Sequence, residues 1–177
     1  MCNTTTKIII SGFGGQGILT LGQLIADIAL HKGLKVTWMP SYGAEMRGGT
    51  ANCSVIISST TIGSPMVKNN IDILCALNGP SLGKFLGAVA SGGKVFINSS
   101  IVDTLPNRGD VDVVPIDATN IAAQAGNAKA ANMVMLAGFL KQTSLFTIED
   151  VKEALERRFE GKEGLVDVNM KALESAL

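Results

Sequence analysis

Lys7-Ile8-Ile9-Ile10-Ser11-Gly12-Phe13-Gly14-Gly15-Gln16-Gly17 joins an apolar strand to a helix through four glycines in six positions. Beyond the glycines, Ile18, Leu21, Leu24, Ile25 and Ile28 recur at helical spacing, and Gly33 ends the pattern. A strand, a glycine loop and a helix in this order bring bare backbone N–H groups together. The helix adds its own unpaired donors and the positive end of its dipole. Phosphate is the ligand such a loop takes. A tight turn whose glycines serve only positive φ and close packing is the alternative that binds nothing.

The spacing satisfies G-x-G-x-x-G, which invites a dinucleotide reading, and two tests oppose it. A dinucleotide fold places an acid about 20 residues onward, at the end of the second strand, to hold the ribose hydroxyls. Here that strand reads Lys35-Val36-Thr37-Trp38-Met39 and runs into Pro40-Ser41-Tyr42, without an acid. Asp27, the nearby carboxylate, falls in the first helix, where a solvated face is expected. A P-loop is excluded as well, because no Gly-Lys-Ser/Thr follows to supply the phosphate-binding lysine and magnesium-binding hydroxyl.

The chain has 177 residues, enough for one domain with a sizeable core. Only 5% of residues are aromatic, so Ile, Val, Leu, Met and Ala must build that core. Fifteen basic residues balance fifteen acidic ones, which leaves no electrostatic footprint for nucleic acid or an anionic membrane. Such a low-charge surface fits a subunit hidden against partners, or an ordinary α/β domain whose parallel strands absorb the aliphatics. Cys2, Cys53 and Cys75 form no C-x-x-C pair and no metal spacing, and Cys53 and Cys75 are expected as small core residues. His31 is the only histidine and is expected as a cation near a helix C-terminus rather than a base or ligand. With no signal-like start and no apolar run of transmembrane length, the expected location is cytoplasmic.

Further strands are expected at 35–39, 71–77, 94–98 and 111–116, with a hairpin of 52–58 and 62–67 around Ser59-Thr60-Thr61. A Pro80-led helix through about Ala90, helices at 118–125 and 130–141, and a charged helix capped by Thr147 with Asp150 at its third position complete the reading. The expected fold is α/β: a single three-layer α/β/α sandwich over 1–177, with a mostly parallel, mixed sheet.

One stretch does not look like scaffold: Pro40-Ser41-Tyr42-Gly43-Ala44-Glu45-Met46-Arg47-Gly48-Gly49-Thr50. It holds the only tyrosine, three glycines and no helical or strand periodicity. Loops leaving the carboxyl ends of strands carry ligands and partners in open α/β sheets. It would lie beside the glycine loop if the first two strands are adjacent and parallel. Arg47 could then add a fixed charge to a phosphate held by backbone N–H groups, or simply pair with Glu45 and order the loop.

Gly12-Phe13-Gly14-Gly15-Gln16-Gly17 and Ser41-Tyr42-Gly43-Ala44-Glu45-Met46-Arg47-Gly48-Gly49 resemble the gamma subunit of 2-oxoacid:ferredoxin oxidoreductases. Ser64-Pro65 before an apolar strand and Asn132-Met133-Val134 at a late helix continue the resemblance along nearly the whole chain. It implies a multisubunit enzyme that oxidatively decarboxylates a 2-oxoacid, forms an acyl-CoA and reduces ferredoxin. Thiamine diphosphate and magnesium would sit with the alpha and beta subunits, and iron–sulfur clusters in beta and, where present, delta. The gamma chain itself would be non-catalytic and without metal, packing on alpha and helping to shape the route of coenzyme A. The residues expected at the ligand are then Gly12, Gly14, Gly15, Gln16, Gly17, Tyr42, Arg47 and Gly48. A compact gamma chain fits 2-oxoglutarate or a branched-chain oxoacid, and 2-oxoglutarate is the expected substrate. A homodimer of the isolated chain, formed through the face meant for alpha, is compatible with this assignment. Two alternatives stay open: a purely architectural subunit that binds no ligand, and a stand-alone nicotinamide-dependent protein.

Overall fold

The computed structural model describes residues 5–43 and 48–177. Six strands form one mixed sheet: β1 (Thr5–Phe13), β2 (Lys35–Tyr42), β3 (Thr50–Ser58), β4 (Ile71–Ala76), β5 (Val89–Asn98) and β6 (Asp112–Ile116), in the order β2-β3-β1-β4-β5-β6. β1, β4, β5 and β6 run parallel, and β3 is antiparallel to both β1 and β2. The mixed α/β fold is as expected, but its hairpin is not. β3 pairs with β2 along its length, from Lys35↔Ser58 to Tyr42↔Ala51, and its other edge is taken by β1 from Thr5↔Ser58 to Phe13↔Thr50. No edge of β3 is left for residues 62–67, and that segment, broken by Gly63 and Pro65, forms no strand. The first two strands are therefore parallel but not adjacent. Residues 43–49 link β2 to β3, the true hairpin pair.

Helices α1 (Ile18–His31), α3 (Ala118–Gln124), α4 (Ala131–Gln142), α5 (Ile148–Arg158) and α6 (Glu163–Glu174) cover one face of the sheet. Leu21, Leu24, Ile25 and Ile28 of α1 meet Ile8, Ile10, Cys53, Val55 and Ile57 there, as the helical spacing requires. The opposite face carries a thinner layer. Leu82 of α2 (Gly79–Phe85) packs with Ile9, Leu74, Val95 and Ile97, and a 3-10 turn, Leu86–Ala88, follows. This helix ends before Ala90 because Gly92-Gly93 does not precede β5 but bulges within it. The register jumps from Ile71↔Val89 to Ile73↔Lys94, and a Cβ on Gly93 would stand 2.9 Å from the Ala90 carbonyl.

Cys53 and Cys75 are core residues, and burial pushes both thiols up to about 12, so neither is a thiolate at neutral pH. His31 sits in the last turn of α1, its Nδ1 2.9 Å from the Asp27 carbonyl. Asp27 is not simply solvated: its carboxylate accepts from Arg157 Nη2 at 3.0 Å and ties α1 to α5. Among the described residues no helix is long and apolar enough to cross a membrane.

Thr147 caps α5 as its sequence signature requires. Its hydroxyl accepts from the Asp150 N–H at 3.2 Å, and the Asp150 carboxylate accepts from the Thr147 N–H at 2.8 Å. Lys32, at 2.7 Å, and the Thr147 donors hold the Asp150 carboxyl below the ordinary carboxylate range. Thr147→Ala should cost about 1 kcal/mol of stability, read as a lower urea midpoint. Because the folded-state pKa of Asp150 is depressed, its contribution is complete above the unfolded value, about 3.9, and fades as pH falls through the folded one. Asp150→Asn should therefore destabilise at neutral pH, with the difference from the native chain shrinking in acid.

Candidate functional site

The loop from Phe13 to Gly17 leaves β1 at the carboxyl end of the sheet, where β2 also ends and β3 begins. Two backbone bonds knit it to the β2–β3 link: Gly14 N–H donates to the Gly49 carbonyl at 2.8 Å, and Gly48 N–H to the Gly14 carbonyl at 3.4 Å. The expected neighbourhood of the two loops is thus present, although β3 rather than β2 lies beside β1. Gly48 has φ +75. Arg47 and Glu45 lie outside the described residues.

The four glycines do different things. Gly12 is a packing glycine: an added Cβ would meet Gln16 Oε1 and Ile18 Cδ1 at 2.6 Å. Gly17, the residue before α1, has φ +73, and the Asn132 side chain fills the space its Cβ would need, at 2.5 Å from Nδ2. Asn132 is itself buried and donates to the Gly17 carbonyl at 3.4 Å. Gly14 makes the paired bonds just described. Gly15 combines a left-handed φ, +99, with open space: among the described residues nothing lies within 4 Å of the position its Cβ would take.

Gln16 turns inward. Its Oε1 accepts from Phe13 N–H at 2.6 Å and from Asn78 Nδ2 at 3.4 Å, while its Nε2 donates to the Leu77 carbonyl at 3.3 Å. Asn78 in turn caps α2, accepting from Ser81 N–H at 2.9 Å. The side chain clamps the glycine loop to β4 and α2. Asn-Gly-Pro at 78–80 is a helix-start signature legible in the sequence, but its bond to Gln16 spans 62 residues and is not.

This clamp leaves a row of backbone donors. Among the described residues the N–H groups of Gly15, Gly17, Ile18, Leu19 and Thr20 have no hydrogen-bond partner. They stand beside a cleft of about 330 Å³ whose lining includes Phe13, Gly14, Gly15, Leu19, Tyr42 and Ala51. Tyr42, 54% exposed, contributes an aromatic to the rim. Among the described residues no charged side chain belongs to that lining, and backbone dipoles face the cleft. The arrangement can hold an anion and orient it; among the described residues no group of three His, Cys, Asp or Glu side chains could hold a metal.

Fold and loop together define an α/β domain with a mixed sheet and a glycine-lined cleft at its carboxyl edge. The chain belongs to the pyruvate ferredoxin/flavodoxin oxidoreductase family, whose profile matches residues 7–177. It is 40% identical over 171 residues to the ketoisovalerate oxidoreductase subunit VorA of Methanothermobacter thermautotrophicus, covering 96% of this chain but 35% of that relative. It thus spans about a third of that curated relative's length. The gamma subunit of a keto/oxoacid ferredoxin oxidoreductase from Geobacter sulfurreducens superposes with a TM-score of 0.80 at 30% identity, covering 97% of this chain and 98% of that one. A 2-oxoglutarate:ferredoxin oxidoreductase from Magnetococcus marinus, solved with 2-oxoglutarate, coenzyme A and succinyl-CoA bound, gives a TM-score of 0.86 at 25% identity, over 97% of this chain and 30% of that one.

Proposed function

We propose that this chain is the gamma subunit of a 2-oxoacid:ferredoxin oxidoreductase and that its glycine loop holds phosphate of coenzyme A. Among the described residues, the unpartnered N–H groups of Gly15, Gly17, Ile18, Leu19 and Thr20 beside a cleft without a charged lining residue carry this reading. Likeness along the full length of a gamma subunit supports the role, and a relative solved with coenzyme A bound supports the ligand. On this reading Gly14, Gly15 and Gly17 offer backbone to the phosphate, Gly12 and Gln16 hold the loop in shape, Tyr42 lines the rim, Gly48 bonds to Gly14, and Arg47 contributes a charge to the phosphate. Thiamine diphosphate, magnesium and iron–sulfur clusters belong to the alpha, beta and delta partners, which pass electrons to ferredoxin. The substrate is a 2-oxoacid. Relatives named for ketoisovalerate and for 2-oxoglutarate both match, and neither substrate is preferred here.

A nicotinamide role fits less well. β2 ends in Met39-Pro40-Ser41-Tyr42 without an acid, and β3 separates it from β1, so no second-strand residue reaches the ribose position of a dinucleotide fold. The architectural reading draws on Gly12 and Gly17, which packing alone explains. Gly15 is the residue on which the two readings part.

The purified chain alone should show no 2-oxoacid-dependent dye reduction, with activity appearing when the alpha and beta partners are added. In the assembled complex, Arg47→Ala should raise the KM for coenzyme A by roughly tenfold to a hundredfold, the loss of one charge-assisted contact. The KM for the oxoacid should move little. Activity of the chain by itself would refute the subunit assignment, and unchanged coenzyme A kinetics would make Arg47 a structural residue.

A further inference from the structure

Gln16 and Asn78 carry amides whose orientation the main chain dictates. Phe13 N–H donates to Gln16 Oε1 at 2.6 Å, and Gln16 Nε2 donates to the Leu77 carbonyl at 3.3 Å. Asn78 Oδ1 accepts from Ser81 N–H at 2.9 Å as the cap of α2, which leaves Nδ2 to point at Gln16 Oε1, 3.4 Å away. Neither amide can flip without setting donor against donor and acceptor against acceptor. Asn78 is 1% exposed, so water has little access to replace a bond lost there.

Space enforces the same arrangement. A Cβ on Gly12 would stand 2.6 Å from Gln16 Oε1 and 3.1 Å from Leu77 Cβ, so the strand lacks a side chain where the Gln16 oxygen lies. The Gln16 N–H also donates to the Phe13 carbonyl at 3.1 Å. Residues 13 and 16 are thus tied twice, once by main chain and once by side chain. Gly14 and Gly15 lie between them. The double tie sets the span of the turn that carries both glycines, and Asn78 holds the side-chain half of it in place.

We propose that Asn78 is a positioning residue: acting through Gln16, it keeps the turn from Phe13 to Gln16 in the shape that presents the Gly15 and Gly17 N–H groups to an anion. It thereby couples the start of α2, on the opposite face of the sheet from α1, to the binding loop. The inference rests on the coenzyme A reading above and extends it to a residue that touches no ligand. An asparagine that does nothing but cap a helix can be replaced by serine, which caps as well. One that also steers Gln16 cannot, because a serine side chain ends where the amide carbon of asparagine stands, one bond short of Nδ2.

Serine is therefore the test, and it adds no charge beside the loop. In the complete complex, Asn78→Ser should raise the KM for coenzyme A about fivefold and Gln16→Met about tenfold, with the KM for the oxoacid within about twofold of native. The double variant should match Gln16→Met alone, because Asn78 then has nothing to steer. An unchanged KM in Asn78→Ser, or effects of the two substitutions that simply multiply, would overturn the inference. Amide hydrogen exchange of the full chain needs no ligand: Phe13 N–H should exchange about fivefold faster in Asn78→Ser, while Val95 in β5 keeps its native rate. Unchanged exchange at Phe13 would equally overturn it. If Gly15→Val raises the KM and Asn78→Ser does not, the positioning role falls and the coenzyme A reading stands. If Gly15→Val is silent in an assembled complex, the reading falls and takes the role of Asn78 in binding with it.

Discussion

Gly15→Val is expected to raise the KM for coenzyme A on the order of a hundredfold, the equivalent of about 3 kcal/mol, in a complex that assembles normally. The position is open: among the described residues nothing lies within 4 Å of where a Cβ would sit. A branched side chain there clashes with no neighbour and acts by standing where a ligand must approach the backbone. Valine also strains the left-handed backbone, at φ +99, which by itself costs stability. Gly33 supplies the control, since it has φ +77 and equally open surroundings at the far end of α1. Gly33→Val should lower stability comparably and leave coenzyme A kinetics alone. Equal KM effects from both variants, with size-exclusion chromatography confirming assembly, would mean that strain and not ligand contact is being measured. If neither variant alters KM, the loop is architectural.

Phe139→Ala should be the most damaging single truncation for the fold, at about 3–5 kcal/mol. Phe139 lies in α4, is 1% exposed, and its ring stands 6.0 Å from Phe96 on β5 and 6.2 Å from Phe146 before α5. Its removal leaves a cavity between the sheet and the helices that close the core, and breaks two aromatic pairs at once. Ile148→Ala, at a position 43% exposed, should cost far less. Urea unfolding of both variants provides the check, and a midpoint for Phe139→Ala close to the native one would contradict the packing described.

The strand-loop-helix unit and the capped helix were legible because their signals are local: an isoleucine run, glycines, a helical stripe, a Thr-x-x-Asp box. The β2–β3 hairpin was not. Residues 35–42, 50–58 and 62–67 are all rich in β-branched or apolar residues, and alternation cannot say which pair shares an edge. Ser59-Thr60-Thr61 made a short turn look natural, whereas the real pair is joined by the glycine-containing stretch that stood out as non-scaffold. At the site the loop itself was visible, but its wiring was hidden. Gln16 meets Asn78 across 62 residues and Asn132 meets Gly17 across 115, and no spacing rule reports contacts of that range.

The strand order has a consequence for how the chain is made. β1 is synthesised before the other five strands, yet its sheet neighbours are β3 and β4, so it stays unpaired until residues 50–58 and then 71–76 have been synthesised. The β2–β3 hairpin can close on its own as soon as it appears, and β1 then docks on its β3 edge. Until that docking occurs, Ile8-Ile9-Ile10 is an apolar segment with two bare edges, the kind that pairs with the wrong chain. The newborn polypeptide therefore passes through a window in which a strand from the middle of its future sheet is open on both edges.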